Sequence, residues 1–131
     1  MKKIVIHCSD TPNGRDDTAE DIHGWHLAKG WDGIGYHHVI QVGGVVRNGR
    51  PHYWIGSHVA GYNDDSLGIC MIGRDQFDGD QWRALEGLVS SLNAQYPDAE
   101  VLGHCDLDSK KTCPNFDVKS WWADVKKRSI D

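Results

Sequence analysis

Two residue types that bind borderline divalent metals, an imidazole and a thiol, close a short polar stretch: His104 and Cys113, nine positions apart. Nine positions exceed neighbouring turns of one helix, so the two can share an ion only if the intervening segment folds back as a loop. A third ligand must come from elsewhere, and His7 is the best candidate. It ends the apolar run Ile4-Val5-Ile6, and a ligand at a strand end beside a loop sits on a rigid scaffold. Two neutral imidazoles and one thiolate would leave Zn2+ with a formal charge of about +1 and a fourth position open to water, the layout of a catalytic rather than a closed structural site. Co2+ or another borderline ion would suit the same ligands.

Cys8 and Cys105 compete with Cys113 for the sulfur position. In extended chain, successive side chains point to opposite faces, so if His7 and His104 look toward one site, Cys8 and Cys105 look away. Cys113 is therefore preferred, and Cys70, inside an apolar run, reads as a small core residue. His23 and His26, three apart on an expected helix, could form a ligand pair, but nothing else in the chain completes such a site.

A metal that lowers the pKa of water to ~7 makes hydroxide available at neutral pH. Attack by that hydroxide on a carbonyl would create an oxyanion. Lys111, two residues from Cys113, fits as the cation that stabilises the oxyanion.

The elements that must hold these groups follow in order. Residues 2–7 read as a buried strand leaving through a loop at 9–14. Asp17 or Thr18 caps a helix to about Lys29, with Ile22, Trp25, Leu27 and Ala28 on its apolar side and Gly30 stopping it. A glycine-punctuated loop at 31–35 leads into a strand at 36–41, and Gly43-Gly44 turns it into a hairpin with 45–47. Residues 48–66 lack periodicity and read as an ordered surface loop with recognition duties, whereas 67–72 is the most apolar run and the expected central strand. Asp78 caps a helix through about Tyr96, with Trp82, Leu85, Leu88, Val89 and Leu92 at helical spacing, and Pro97 ends it. A strand at 101–103 delivers His104. Asp117 caps a last helix, whose terminal Lys126, Lys127 and Arg128 suit its dipole. The sum is an α/β fold, one domain over residues 1–131, with a central mixed sheet flanked by about three helices. Trp25, Trp82, Trp121 and Trp122 fall at core-type helical positions, whereas Trp31 and Trp54 lie on loops.

Composition narrows the classes. A chain of 131 residues with 39% hydrophobic and 25% charged residues suits one ordinary globular domain. A net charge of −5 argues against nucleic acid as the main partner. Met1-Lys2-Lys3 imitates a signal-peptide start, but three apolar residues before His7 fall short of the ~7–15 of a signal core. No segment approaches the ~20 apolar residues of a membrane span, so the expected place of synthesis and retention is the cytoplasm, with no membrane partner. Four cysteines there read as thiols or ligands rather than disulfides.

Five pieces in register carry a resemblance over residues 4–122: Ile6-His7-Cys8-Ser9; Gly33-Ile34-Gly35-Tyr36-His37; Gly56-Ser57-His58 with Gly61-Tyr62-Asn63 and Ser66-Leu67-Gly68; Gly103-His104; and the run from Lys111 to Asp117. The chain resembles the zinc-dependent N-acetylmuramoyl-L-alanine amidases of the bacteriophage T7 lysozyme type, which are similar to peptidoglycan recognition proteins. The resemblance implies one Zn2+ on His7, His104 and Cys113, with Tyr36 and Lys111 catalytic. Tyr36 could orient water, donate to the oxyanion or shuttle the proton, and the base stays unassigned between Tyr36, Lys111 and the metal's hydroxide. His58 and Asn63 match positions that bind substrate, although Asn63 could equally serve its own turn. The implied substrate is bacterial peptidoglycan, cut between N-acetylmuramic acid and L-alanine by a monomeric phage or prophage endolysin. It would act from the host cytoplasm once the membrane is permeabilised. The rival expectations are a non-catalytic peptidoglycan-binding protein, which the presence of Cys113 counts against, and a regulatory protein with a structural metal.

Overall fold

The computed structural model describes residues 1–130, and side chains as far as Arg128. Strands β1 (Lys3–Cys8), β2 (His38–Ile40), β3 (Val46–Asn48), β4 (Ser66–Met71) and β5 (Glu100–Gly103) form one sheet in the order β3-β2-β4-β1-β5. Only the β2–β3 hairpin is antiparallel, so the sheet is mixed, and the expected central strand is indeed central. Helices α1 (Ala19–Ala28), α2 (Gly79–Gln95) and α4 (Val118–Ile130) are the three expected ones. A fourth, α3 (His104–Leu107), is a single turn inside the segment read as loop.

Alternation along the buried strands divides the molecule into two layers. Ile4, Ile6, Leu67, Ile69, Met71 and Ile40 point to one face, where Leu85, Val89 and Leu92 of α2 and Val118, Trp122 and Val125 of α4 cover them. Each such side chain contributes about 1.5–3 kcal/mol by leaving water. Val5, His7, Gly68 and Cys70 point to the other face, toward α1 and the long 48–66 loop.

Both long helices start where local chemistry dictates. Thr18 and Asp21 form a capping box on α1, and Asp78 and Gln81 form one on α2. Gln81 is itself buried, its Nε2 donating to the Ile72 carbonyl at 2.9 Å, which ties the start of α2 to the end of β4.

The apolar side of α1 differs from expectation. Ala19, Ile22 and His26 are buried, whereas Trp25 is 41% and Leu27 50% exposed. Only a narrow stripe of α1 meets the sheet, and an imidazole serves there because it is needed as a hydrogen-bond acceptor. Trp122 is buried, and Trp82 and Trp121 pack against the same core, as expected.

Candidate active site

In the register of the parallel pair β1 and β5, Ile6 lies opposite Gly103. The residue that follows each, His7 on β1 and His104 just past the end of β5, therefore emerges side by side at the carboxyl ends, where open α/β sheets bind ligands. Their ring centroids are 4.6 Å apart. Cys113 returns to them because the intervening segment folds on itself. The Asp106 carboxylate accepts the Gly103 N–H at 2.8 Å, Asp108 O accepts from Lys111 N at 3.0 Å, and Cys113 O accepts from Cys105 N at 2.9 Å. Beyond Cys113, Phe116 packs edge-on against Trp82 with centroids 4.7 Å apart, pinning the far end of the loop to α2.

Ligand atoms of His7, His104 and Cys113 all lie within 4.8 Å of one another. Donors around a tetrahedral zinc are about 3.3–3.8 Å apart, so modest side-chain adjustment would close this set on one ion. The protonation states suit it. Burial first, then the neighbouring His58 and His104, hold the His7 imidazole well below its usual range, and burial lowers His104 too, so both rings present lone pairs.

Cys8 stays outside the ligand cluster but lies directly beside it. Its backbone N–H donates to Cys113 Sγ at 3.0 Å, and the two thiols share a hydrogen bond. That contact lowers the Cys8 thiol and, ahead of burial, pushes Cys113 up. A cation at the ligand cluster would draw the thiolate to Cys113. Cys105 contributes its backbone N–H to the fold of the loop, and its side chain lines a neighbouring cleft instead.

Tyr36 walls the site, its ring centroid 5.1 Å from that of His7. Burial, then the thiols of Cys70 and Cys113, hold its phenol well above the ordinary value, so it stays a hydrogen-bond donor. Its backbone is gripped from α1: His23 Nδ1 accepts the Ile34 N–H at 3.0 Å, and His26 Nδ1 accepts the Gly35 N–H at 2.9 Å. Arg50 Nε donates to Ile34 O at 2.8 Å from the other side. The two helix histidines are thus acceptors for a loop rather than a metal pair. A Cβ at Gly35 would lie 2.0 Å from the Ser57 carbonyl, which explains the glycine next to Tyr36. Lys111, exposed, lines the same cleft of about 330 Å³ with His7, Tyr36, His104 and Cys113. Another cleft of about 370 Å³, beside His23, Ile34, Arg50 and Trp54, brings no set of metal ligands together and is not where the chemistry lies.

His58 sits beneath His7, with Nδ1 2.9 Å from His7 Nε2 and Nε2 3.2 Å from Ser66 Oγ. Both ring nitrogens are thus engaged by protein groups. Burial, then His37 and His104, depress its pKa to about 3. Asn63 Oδ1 accepts the backbone N–H groups of His58 and Val59 at 2.9 and 2.8 Å, so it builds the turn that carries His58 and has only its Nδ2 left to offer. Sequence reasoning included Ser66, Gly56 and Gly68 in the resemblance but gave them no role. A Cβ on Gly56 or Gly68 would lie 2.6 Å from His58 ring atoms, and a glycine inside the most apolar strand was the readable signal of such a close approach.

His37, His38 and His52 act as pins. His37 Nδ1 accepts from Gly68 N at 3.0 Å, and His38 Nε2 lies 2.7 Å from His52 Nε2, whose Nδ1 lies 3.2 Å from the Tyr96 hydroxyl. They fasten the long loop to the sheet and to the end of α2.

Comparison with known proteins matches this architecture. The family model described as N-acetylmuramoyl-L-alanine amidase covers residues 1–116. The endolysin of Klebsiella phage KP32 is 38% identical over 128 residues, spanning 92% of this chain and 84% of that protein. The endolysin of Escherichia phage T7 is 36% identical over 127 residues, spanning 91% and 83%. Among solved structures, the endolysin amidase LysCS from Clostridium intestinale URNW superposes with a TM-score of 0.84 at 28% identity, over 98% of this chain and 83% of that one. With a matched region that includes every one of the residues gathered around His7, the chain belongs to the N-acetylmuramoyl-L-alanine amidase family.

Proposed function

We propose that this chain is a zinc-dependent endolysin that hydrolyses the amide between the lactyl group of N-acetylmuramic acid and L-alanine in peptidoglycan. The observation that carries the reading is the convergence of His7, His104 and Cys113 in a cleft that Tyr36 and Lys111 also line. A Zn2+ held there would polarise the scissile carbonyl and supply hydroxide near neutral pH.

The protein's own groups then divide the remaining work. Tyr36, kept protonated by burial, donates a hydrogen bond to the carbonyl oxygen as it gains charge. Lys111 faces the cleft from the loop and offsets that same charge. We take Trp31 and Trp54, 36% and 50% exposed, to stack on sugar faces. No described helix is long and apolar enough to cross a membrane. We place the protein in the host cytoplasm until a separate event opens its way to the wall, and take it to act as a monomer.

A non-catalytic peptidoglycan binder would need the ion only as a structural element. The thiol of Cys113 in the cluster, next to a phenol and an ammonium, favours the hydrolase. Measuring bound zinc together with new L-alanine amino termini released from purified peptidoglycan tests it. One zinc per chain with new termini is expected; bound zinc without new termini rejects catalysis.

A further inference from the structure

The hydrogen bonds behind His7 determine which of its nitrogens carries the proton. A carbonyl can only accept, so Ser66 gives its single hydroxyl proton to Tyr62 O at 2.7 Å. Ser66 Oγ must then accept from His58 Nε2, 3.2 Å away. With its proton on Nε2, a neutral His58 offers a lone pair at Nδ1, and His7 Nε2 donates to it across 2.9 Å. That leaves the lone pair of His7 on Nδ1.

We propose that Ser66 and His58 are positioning residues that fix the tautomer and ring orientation of His7, so that Nδ1 is bare and aimed before any metal arrives. This rests on reading His7 as a metal ligand and gives His58 an orienting duty in place of substrate contact. The slot is built for it. Gly56 and Gly68 leave room for the His58 imidazole, whose ring atoms a Cβ at either position would meet at 2.6 Å. Asn63 holds the His58 backbone from the opposite side. Partners that orient a ligating histidine contribute about 10–100-fold in metal affinity when lost.

The test reads the tautomer directly. Long-range 1H–15N correlation on the metal-free full chain should show both His7 and His58 protonated at Nε2. Zinc affinity by chelator competition should fall about 10–100-fold in Ser66→Ala and return toward wild type in Ser66→Thr, with circular dichroism reporting the fold. A wild-type His7 protonated at Nδ1 overturns the proposal without recourse to any variant. So does a folded Ser66→Ala chain with unchanged tautomer and zinc affinity. Wild-type protein that binds no zinc while keeping Nε2–H on His7 overturns instead the metal reading on which the proposal stands.

Discussion

The backbone N–H of Cys105 donates to the carbonyl of Cys113 at 2.9 Å, closing the segment between His104 and Cys113 into a loop. Because Cys105 follows His104 directly, this one bond holds sulfur and imidazole near each other whatever the exposed tip, Ser109 to Lys111, does. The site is therefore built from a strand register and one loop closure.

Cys113→Ser should abolish tight zinc binding and activity while leaving the fold, because a hydroxyl is a poor replacement for a thiolate. Equilibrium dialysis and circular dichroism measure both. Tight zinc retained in the variant would move the sulfur ligand to Cys8, whose thiol already touches Cys113.

Tyr36→Phe removes only the phenol oxygen. Zinc content and thermal stability should stay near wild type, while kcat falls about 10²-fold or more, the usual scale for losing a proton-handling or oxyanion-facing group. Unchanged turnover would reduce Tyr36 to a packing aromatic.

Acid should destabilise the protein in a defined window. Burial, then the charges of Lys29 and Arg50, lowers His26 to about 4, and burial with His52 lowers His38 to about 4. Both folded values lie below the ordinary ~6.5, so between pH ~6.5 and ~4 the unfolded chain binds more protons and stability falls with pH. Above ~6.5 these two contributions are fully present. Each histidine adds a slope of up to about 1.4 kcal/mol per pH unit. Denaturant unfolding from pH 7 to 4 should show this loss, and His26→Gln should flatten it by about one proton. An identical slope in the variant contradicts the assigned burial.

Gly68→Ala places a methyl 2.6 Å from the His58 ring. A destabilisation of about 1–3 kcal/mol is expected from overpacking, with weakened zinc binding as His58 is displaced. A neutral effect on both would mean that the slot has slack.

How far the chain could be read in advance follows from where each partner lies. His7, His104 and Cys113 were legible because metal ligands are few in type, and because apolar runs show which residues end strands. The alternation argument was incomplete for Cys8, since it applies within a strand and Cys8 is the last residue of β1, where its backbone turns toward Cys113. The stripe of α1 was misread because periodicity counts a histidine as polar, whereas His26 is buried to accept the Gly35 N–H. Residues 48–66 gave no pattern at all. Their order comes from distant partners, Ile34 for Arg50 and His38 for His52, which no local spacing encodes.

X-ray absorption at the zinc edge of the reconstituted protein reads the ligand set most directly. Two imidazole nitrogens, one sulfur and one further light atom from solvent are expected. Two sulfurs, with Cys8 joining Cys113, or four protein donors, would close the position that hydrolysis requires and contradict the account.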